Sequence, residues 1–142
     1  MSIELSINAY IESQLEPKQS DMRTLHEQIM SLLPESKLWF EDGKNAEGKV
    51  ISNPNIGYGS YTIQYANGKS REFFQVGLSA NTTGISIYLM GIPDKNALTE
   101  RFKTRIGKAS ITGYCIKFKG LKDVDLEVVI EAILFGVNAS GN

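Results

Sequence analysis

Apolar residues in this 142-residue chain change their spacing at Pro34, and that change limits the fold more than any other feature. Before it, Met22, Leu25, Ile29, Leu32 and Leu33 recur at helical intervals, as on an amphipathic helix facing a core. After it, from Lys37 to Gly91, apolar and polar residues alternate in the two-residue period of half-buried strands. The two periods put apolar side chains on one side of different backbones, so the chain must combine helices with a sheet.

Residues 3–33 read as two helices. The first carries Leu5, Ala9, Tyr10 and Leu15 at helical spacing. The second opens at Glu16-Pro17, where proline's missing N–H costs nothing. Pro34 ends it, because the residue before a proline is pushed out of the helical region. Leu38-Trp39-Phe40 is then a short strand, and polar residues 44–49 are a loop. Ile56 to Ala66 reads as one strand with Tyr61, Ile63 and Tyr65 on one face. Asn67-Gly68 supplies the two positive φ angles of a type I′ hairpin, and Glu72 to Ala80 is the return strand. Asn81-Thr82-Thr83-Gly84 turns the chain into Ile85 to Met90, which completes an antiparallel meander.

Asp94 can cap a helix through Leu98, Phe102 and Ile106 that Gly107 ends. Tyr114 to Phe118 is a further strand. Asp123 or Asp125 caps a last helix carrying Leu126, Val129, Ile130, Ile133 and Leu134, and residues 138–142 are expected to fray. The order predicts one α+β domain over residues 1–142, with its core from 8 to 134. An antiparallel sheet of about five strands is covered on one face by the N- and C-terminal helices. This is no βαβ series, so a Rossmann phosphate site has no scaffold.

Composition removes several functions. The chain is 42% hydrophobic and 22% charged, as soluble domains are, with a net charge of -1. One cysteine leaves no intrachain disulfide and no CxxC knuckle, and one histidine leaves no HExxH site. No apolar run approaches the roughly 20 residues of a membrane span. The first residues lack a basic region before an apolar one, so no signal peptide is expected and the predicted location is cytoplasmic. The near-zero total hides an uneven distribution. Residues 1–47 hold nine Asp/Glu and four Lys/Arg, whereas residues 95–122 hold eight Lys/Arg and one acid. A fold that put these on different faces would have an acidic side and a basic side. The total gives no reason to expect a nucleic-acid partner.

Several motifs admit two readings. Gly57-Tyr58-Gly59 can let a backbone approach a ligand beside the Tyr58 hydroxyl, or it can mark a bulge or tight bend. Residues 106–113, with Gly107, Lys108, Ser110 and Thr112, can bind an anion, or they can be a helix cap and a solvated loop. Trp39, Tyr58, Tyr61, Tyr65 and Tyr88 can line a pocket or fill a core. His26 has no serine or cysteine nucleophile placed near it, and Cys115 in an alternating strand reads as an inert core residue. Glu35, Glu41, Asp42 and Glu47 form a loose acidic patch whose spacing matches no EF-hand.

Three blocks together resemble one family. They are Tyr10-Ile11 through Met30; the Asn53-Pro54-Asn55-Ile56-Gly57-Tyr58-Gly59 run continuing to Met90; and Gly107-Lys108, Gly113-Tyr114-Cys115 and Leu121 to Asp125. The chain resembles the YdhG-like proteins, domain of unknown function 1801, over roughly residues 8–134. The resemblance implies a small cytoplasmic protein with a frataxin-like fold. For one branch it implies an iron chaperone that holds iron on acidic residues. Here those residues would be Glu12, Glu16, Asp21 and Glu27, without a dense acidic ridge. No catalytic residues come with the resemblance.

The expected function is a non-enzymatic binding protein without a cofactor. A concave sheet face would present Trp39, Asn53, Tyr58 and Tyr88, with Arg71 and Lys108, to a small anionic or aromatic ligand or to a partner protein. The alternative is the iron chaperone. A homodimer through an exposed strand edge is compatible with either. Catalysis is not expected, because no nucleophile–base pair or metal set can be assembled from the sequence.

Overall fold

The computed structural model describes residues 2–140. Helix α1 (Ile3–Glu12) starts on Ser2, whose hydroxyl accepts the Leu5 N–H at 3.1 Å. Pro17 stands immediately before α2 (Lys18–Leu32), which ends ahead of Pro34 as the sequence predicts. Strands β1 (Leu38–Glu41), β2 (Asn55–Tyr58), β3 (Tyr61–Gln64), β4 (Ser70–Phe73), β5 (Val76–Asn81) and β6 (Gly84–Leu89) follow. Helix α3 (Ala97–Phe102), β7 (Ser110–Thr112), β8 (Cys115–Phe118), a 3₁₀ turn (Leu121–Asp123) and α4 (Leu126–Ser140) complete the chain.

Among the described residues, six strands form one antiparallel sheet in the order β1-β2-β5-β6-β8-β7, and β3 and β4 pair apart from it as a hairpin. This is an α+β fold with helices at both ends of the chain. The register sorts the side chains into two faces. Leu38 and Tyr58 lie opposite one another, as do Ile56 and Leu78, Val76 and Leu89, and Ile87 and Ile116. These side chains pack with Ile7 and Ile11 of α1, Met22, Leu25 and Ile29 of α2, and Val129, Ala132 and Ile133 of α4. The helices therefore cover one face. The other face carries the row Trp39, Gly57, Gly77, Tyr88, Cys115 and Thr112.

The structure corrects the single strand expected over residues 56–66. Gly59 takes φ 77°, a left-handed conformation that turns the chain between β2 and β3. The return strand divides at Phe74 and Gln75. Phe74 lies over the outer face where two glycines meet: a Cβ on Gly57 or Gly77 would stand 2.6 or 2.7 Å from its ring. The meander is thus interrupted, with β2 pairing directly to β5 and the β3–β4 hairpin set between them in sequence.

The turn after β3 is not type I′. Among the described residues no non-glycine residue has positive φ; in this turn Gly68 takes 84°, and Asn67 Oδ1 accepts the Lys69 N–H at 3.0 Å. The connection is a type I turn closed by a left-handed glycine. The segment expected to be a loop near Lys108 contains β7, which pairs with β8. Helix α3 ends at Phe102, four residues before the Ile106 expected within it, while α4 reaches Ser140. Residues 138–140 are therefore helical, with the Ser140 hydroxyl accepting from Gln75 Nε2 at 2.9 Å. The rest of the expected frayed tail, residues 141–142, lies outside the described residues. Asp125 caps α4 by accepting the Glu127 N–H at 3.0 Å.

Candidate functional site

The residues expected to converge on the sheet are divided by it. Tyr58 points into the core at 1% exposure, and its hydroxyl lies 2.7 Å from His26 Nδ1. Trp39 and Tyr88 lie on the opposite face. Lys108 is exposed on the segment before edge strand β7, four strands from β2 in the sheet order. Its backbone N–H is held by the Asp123 carbonyl at 2.8 Å. Asn53 is exposed in the loop before β2. The expected pocket of Tyr58, Trp39, Tyr88 and Lys108 does not form, because Tyr58 occupies a core position of the strand alternation and Trp39 an outer one.

Trp39 and Arg71 do come together. Trp39 donates its indole N–H to the Gly59 carbonyl at 2.8 Å and stands edge-on to Phe73 at 6.1 Å. The Arg71 guanidinium lies 4.7 Å over the Phe73 ring, and the Lys37 ammonium lies 4.0 Å over Trp39. These contacts are cation–π pairs within the chain, so the rings already carry cations. Cys115, 9% exposed, sits opposite Tyr88 on this face, and burial pushes its thiol up, away from a reactive thiolate. Burial, followed by the charge of Arg23, lowers the His26 pKa, while Glu27 opposes it.

A larger concavity lies at one end of the molecule. A cleft of about 520 Å³ opens between the α1–α2 turn, the β5–β6 turn and the segment after β8. Leu15, 86% exposed, and Pro17 give it apolar lining; Thr82 and Thr83 line it from the β5–β6 turn. Lys119 and Lys122 line it from the third segment, and both are exposed. Among the described residues neither forms an ion pair. Helix α2 ties two of these walls together. Lys18 donates to the Asn81 carbonyl at 2.6 Å, and Asp21 Oδ2 accepts the Leu121 N–H at 3.1 Å. The start of α2, from the acidic segment, and residues 119–122, from the basic one, therefore meet at this cleft. A further cavity of about 210 Å³ lies at the end of β1, beside Glu41, Asp42, Lys44 and Ile51.

The acidic residues considered for iron are committed differently. Asp21 holds the Leu121 amide. Glu16 accepts both the N–H and the hydroxyl of Ser20 at 2.9 Å, near the start of α2. Glu12 and Glu27 are exposed. Among the described residues no three His, Cys, Asp or Glu side chains are grouped to hold a metal ion. These residues do not fit a single enclosed ion site. Among the same residues no helix is long and apolar enough to cross a membrane.

Sequence reasoning missed the cleft residues Leu15, Lys18, Thr82, Thr83, Lys119 and Lys122 as site candidates. One signal was available: Lys119 and Lys122 end the basic segment, 95–122. Comparison with protein-family models, curated proteins and solved structures finds no match for this chain.

Proposed function

We propose that this chain is a cytoplasmic, non-enzymatic binding protein of the YdhG-like kind. Its ligand is a small molecule with an anionic end and an apolar body. The observation that carries this reading is the cleft between the α1–α2 turn and the segment after β8, where exposed Leu15 shares a lining with Lys119 and Lys122. An exposed leucine beside a concavity offers area that an apolar ligand can remove from water. Ammonium groups on flexible stems meet an anion without fixed geometry. The volume, about 520 Å³, lies within the range of small-molecule sites. The expected sheet-face site is replaced in this proposal, because Tyr58 is on the wrong side of the sheet to join Trp39.

Titration of ¹⁵N-labelled protein with octanoate, followed by amide chemical shifts, tests the reading. Saturable shifts centred on Leu15, Thr83, Lys119 and Gly120, with a Kd below about 1 mM, are expected. The Lys119→Glu/Lys122→Glu variant should weaken binding at least about tenfold. Shifts confined to the outer sheet face around Trp39 and Tyr88, or no saturable shift, would overturn it.

A further inference from the structure

We infer that the ligand's anionic end is a singly charged carboxylate rather than a dianionic phosphate, and that Asp21 sets this selectivity. The inference rests on the cleft reading above. The charged side chains lining the cleft are Lys18, Lys119 and Lys122 against Glu16 and Asp21, which leaves one positive charge in excess. Asp21 is the telling member. Its carboxylate does not swing in solvent: Oδ2 accepts the Leu121 N–H at 3.1 Å. Gly120 packs beneath it so closely that a Cβ there would come 3.1 Å from the same oxygen. The fixed negative charge thus lies against the backbone between Lys119 and Lys122, the two cations free to meet a ligand. Lys18 is held at the Asn81 carbonyl.

This arrangement treats one and two negative charges differently. Attraction to the excess positive charge grows in proportion to the ligand's charge, whereas the cost of removing the ligand from water grows with its square. Repulsion from Asp21 also doubles for a dianion. A carboxylate neutralises the cleft, and a phosphate monoester overshoots it. The apolar body then sets affinity in the same way for both.

The test compares octanoate with octyl phosphate at pH 8, where the phosphate is a dianion, by amide-shift titration of the full chain. Wild-type protein should bind octanoate at least about fivefold more tightly. Asp21→Asn removes the charge and keeps an oxygen to accept the Leu121 N–H. It should tighten octanoate about threefold and octyl phosphate about tenfold, because a unit of charge acts twice on the dianion. Lys119→Gln should move both in the opposite direction, again more for the phosphate. A loop merely loosened by substitution would weaken both ligands alike. Equal or tighter phosphate binding by the wild type, or a selectivity ratio unmoved by Asp21→Asn, overturns the inference and leaves the cleft reading standing. Absence of cleft shifts with either ligand removes the cleft reading and the inference with it.

Discussion

The Tyr58 hydroxyl and His26 Nδ1 stand 2.7 Å apart, joining the centre of α2 to strand β2 through the buried face of the sheet. Tyr58 is 1% exposed, and His26 is its hydrogen-bonding partner. Neutral imidazole can accept the phenolic proton at Nδ1, but imidazolium carries donors on both nitrogens. Protonation would force the tyrosine hydroxyl to turn its hydrogen toward apolar neighbours.

Stability should therefore fall as pH drops through the histidine range. Burial, then Arg23, lowers the His26 pKa from its ordinary 6.5. The unfolded chain binds the proton first, so this contribution is complete above about pH 6.5 and is lost toward the lower folded value. Urea unfolding at pH 8 and pH 5.5 should show the loss, and His26→Gln should flatten it. An unchanged slope in that variant would refute the role of His26. Tyr58→Phe should cost about 1 kcal/mol at pH 8.

Gly57→Ala should destabilise the fold by about 1–3 kcal/mol, because the new methyl group meets the Phe74 ring. Phe74→Ala alone should cost about 3–5 kcal/mol. The double variant should cost less than the two together, since removing the ring relieves the Phe74 clash and leaves only the Trp39 Cβ, 2.8 Å from the new methyl, to give way. Additive costs in denaturant titrations would show that Phe74 and Gly57 do not compete for one volume.

Leu15→Ser separates binding from folding. Leu15 is 86% exposed, so the substitution should change unfolding free energy by no more than about 0.5 kcal/mol. Octanoate affinity should nevertheless fall about fivefold through lost apolar contact. A stability loss matching the affinity loss would mark Leu15 as structural.

Cys115 should react with Ellman's reagent only as the sheet opens. Its thiol is buried opposite Tyr88, and burial pushes its pKa up. The reaction rate should rise steeply with subdenaturing urea and follow local opening. Rapid reaction in native buffer, insensitive to urea, would place the thiol in an accessible site.

The spacing of apolar residues determined much of the fold. Met22, Leu25 and Ile29 mark the inner face of α2, Pro34 closes it, and the alternation through Ile85, Ile87 and Leu89 builds β6. Such patterns are local, because a helix or strand repeats its geometry within a few residues. Tertiary structure decided where an element had to break. The turn at Gly59 requires a left-handed residue, and the bed beneath Phe74 requires Gly57 and Gly77 to meet across strands. It also placed Tyr58 and Trp39 on opposite faces, because residues 19 apart share a side only as their strands pair. The cleft was the least legible feature. Lys18 reaches Asn81 across 63 residues and Asp21 reaches Leu121 across 100, and no periodicity in a chain records contacts at that separation. Those contacts exist because packing the helices on the sheet brings the start of α2 against two loops that the sequence keeps far apart.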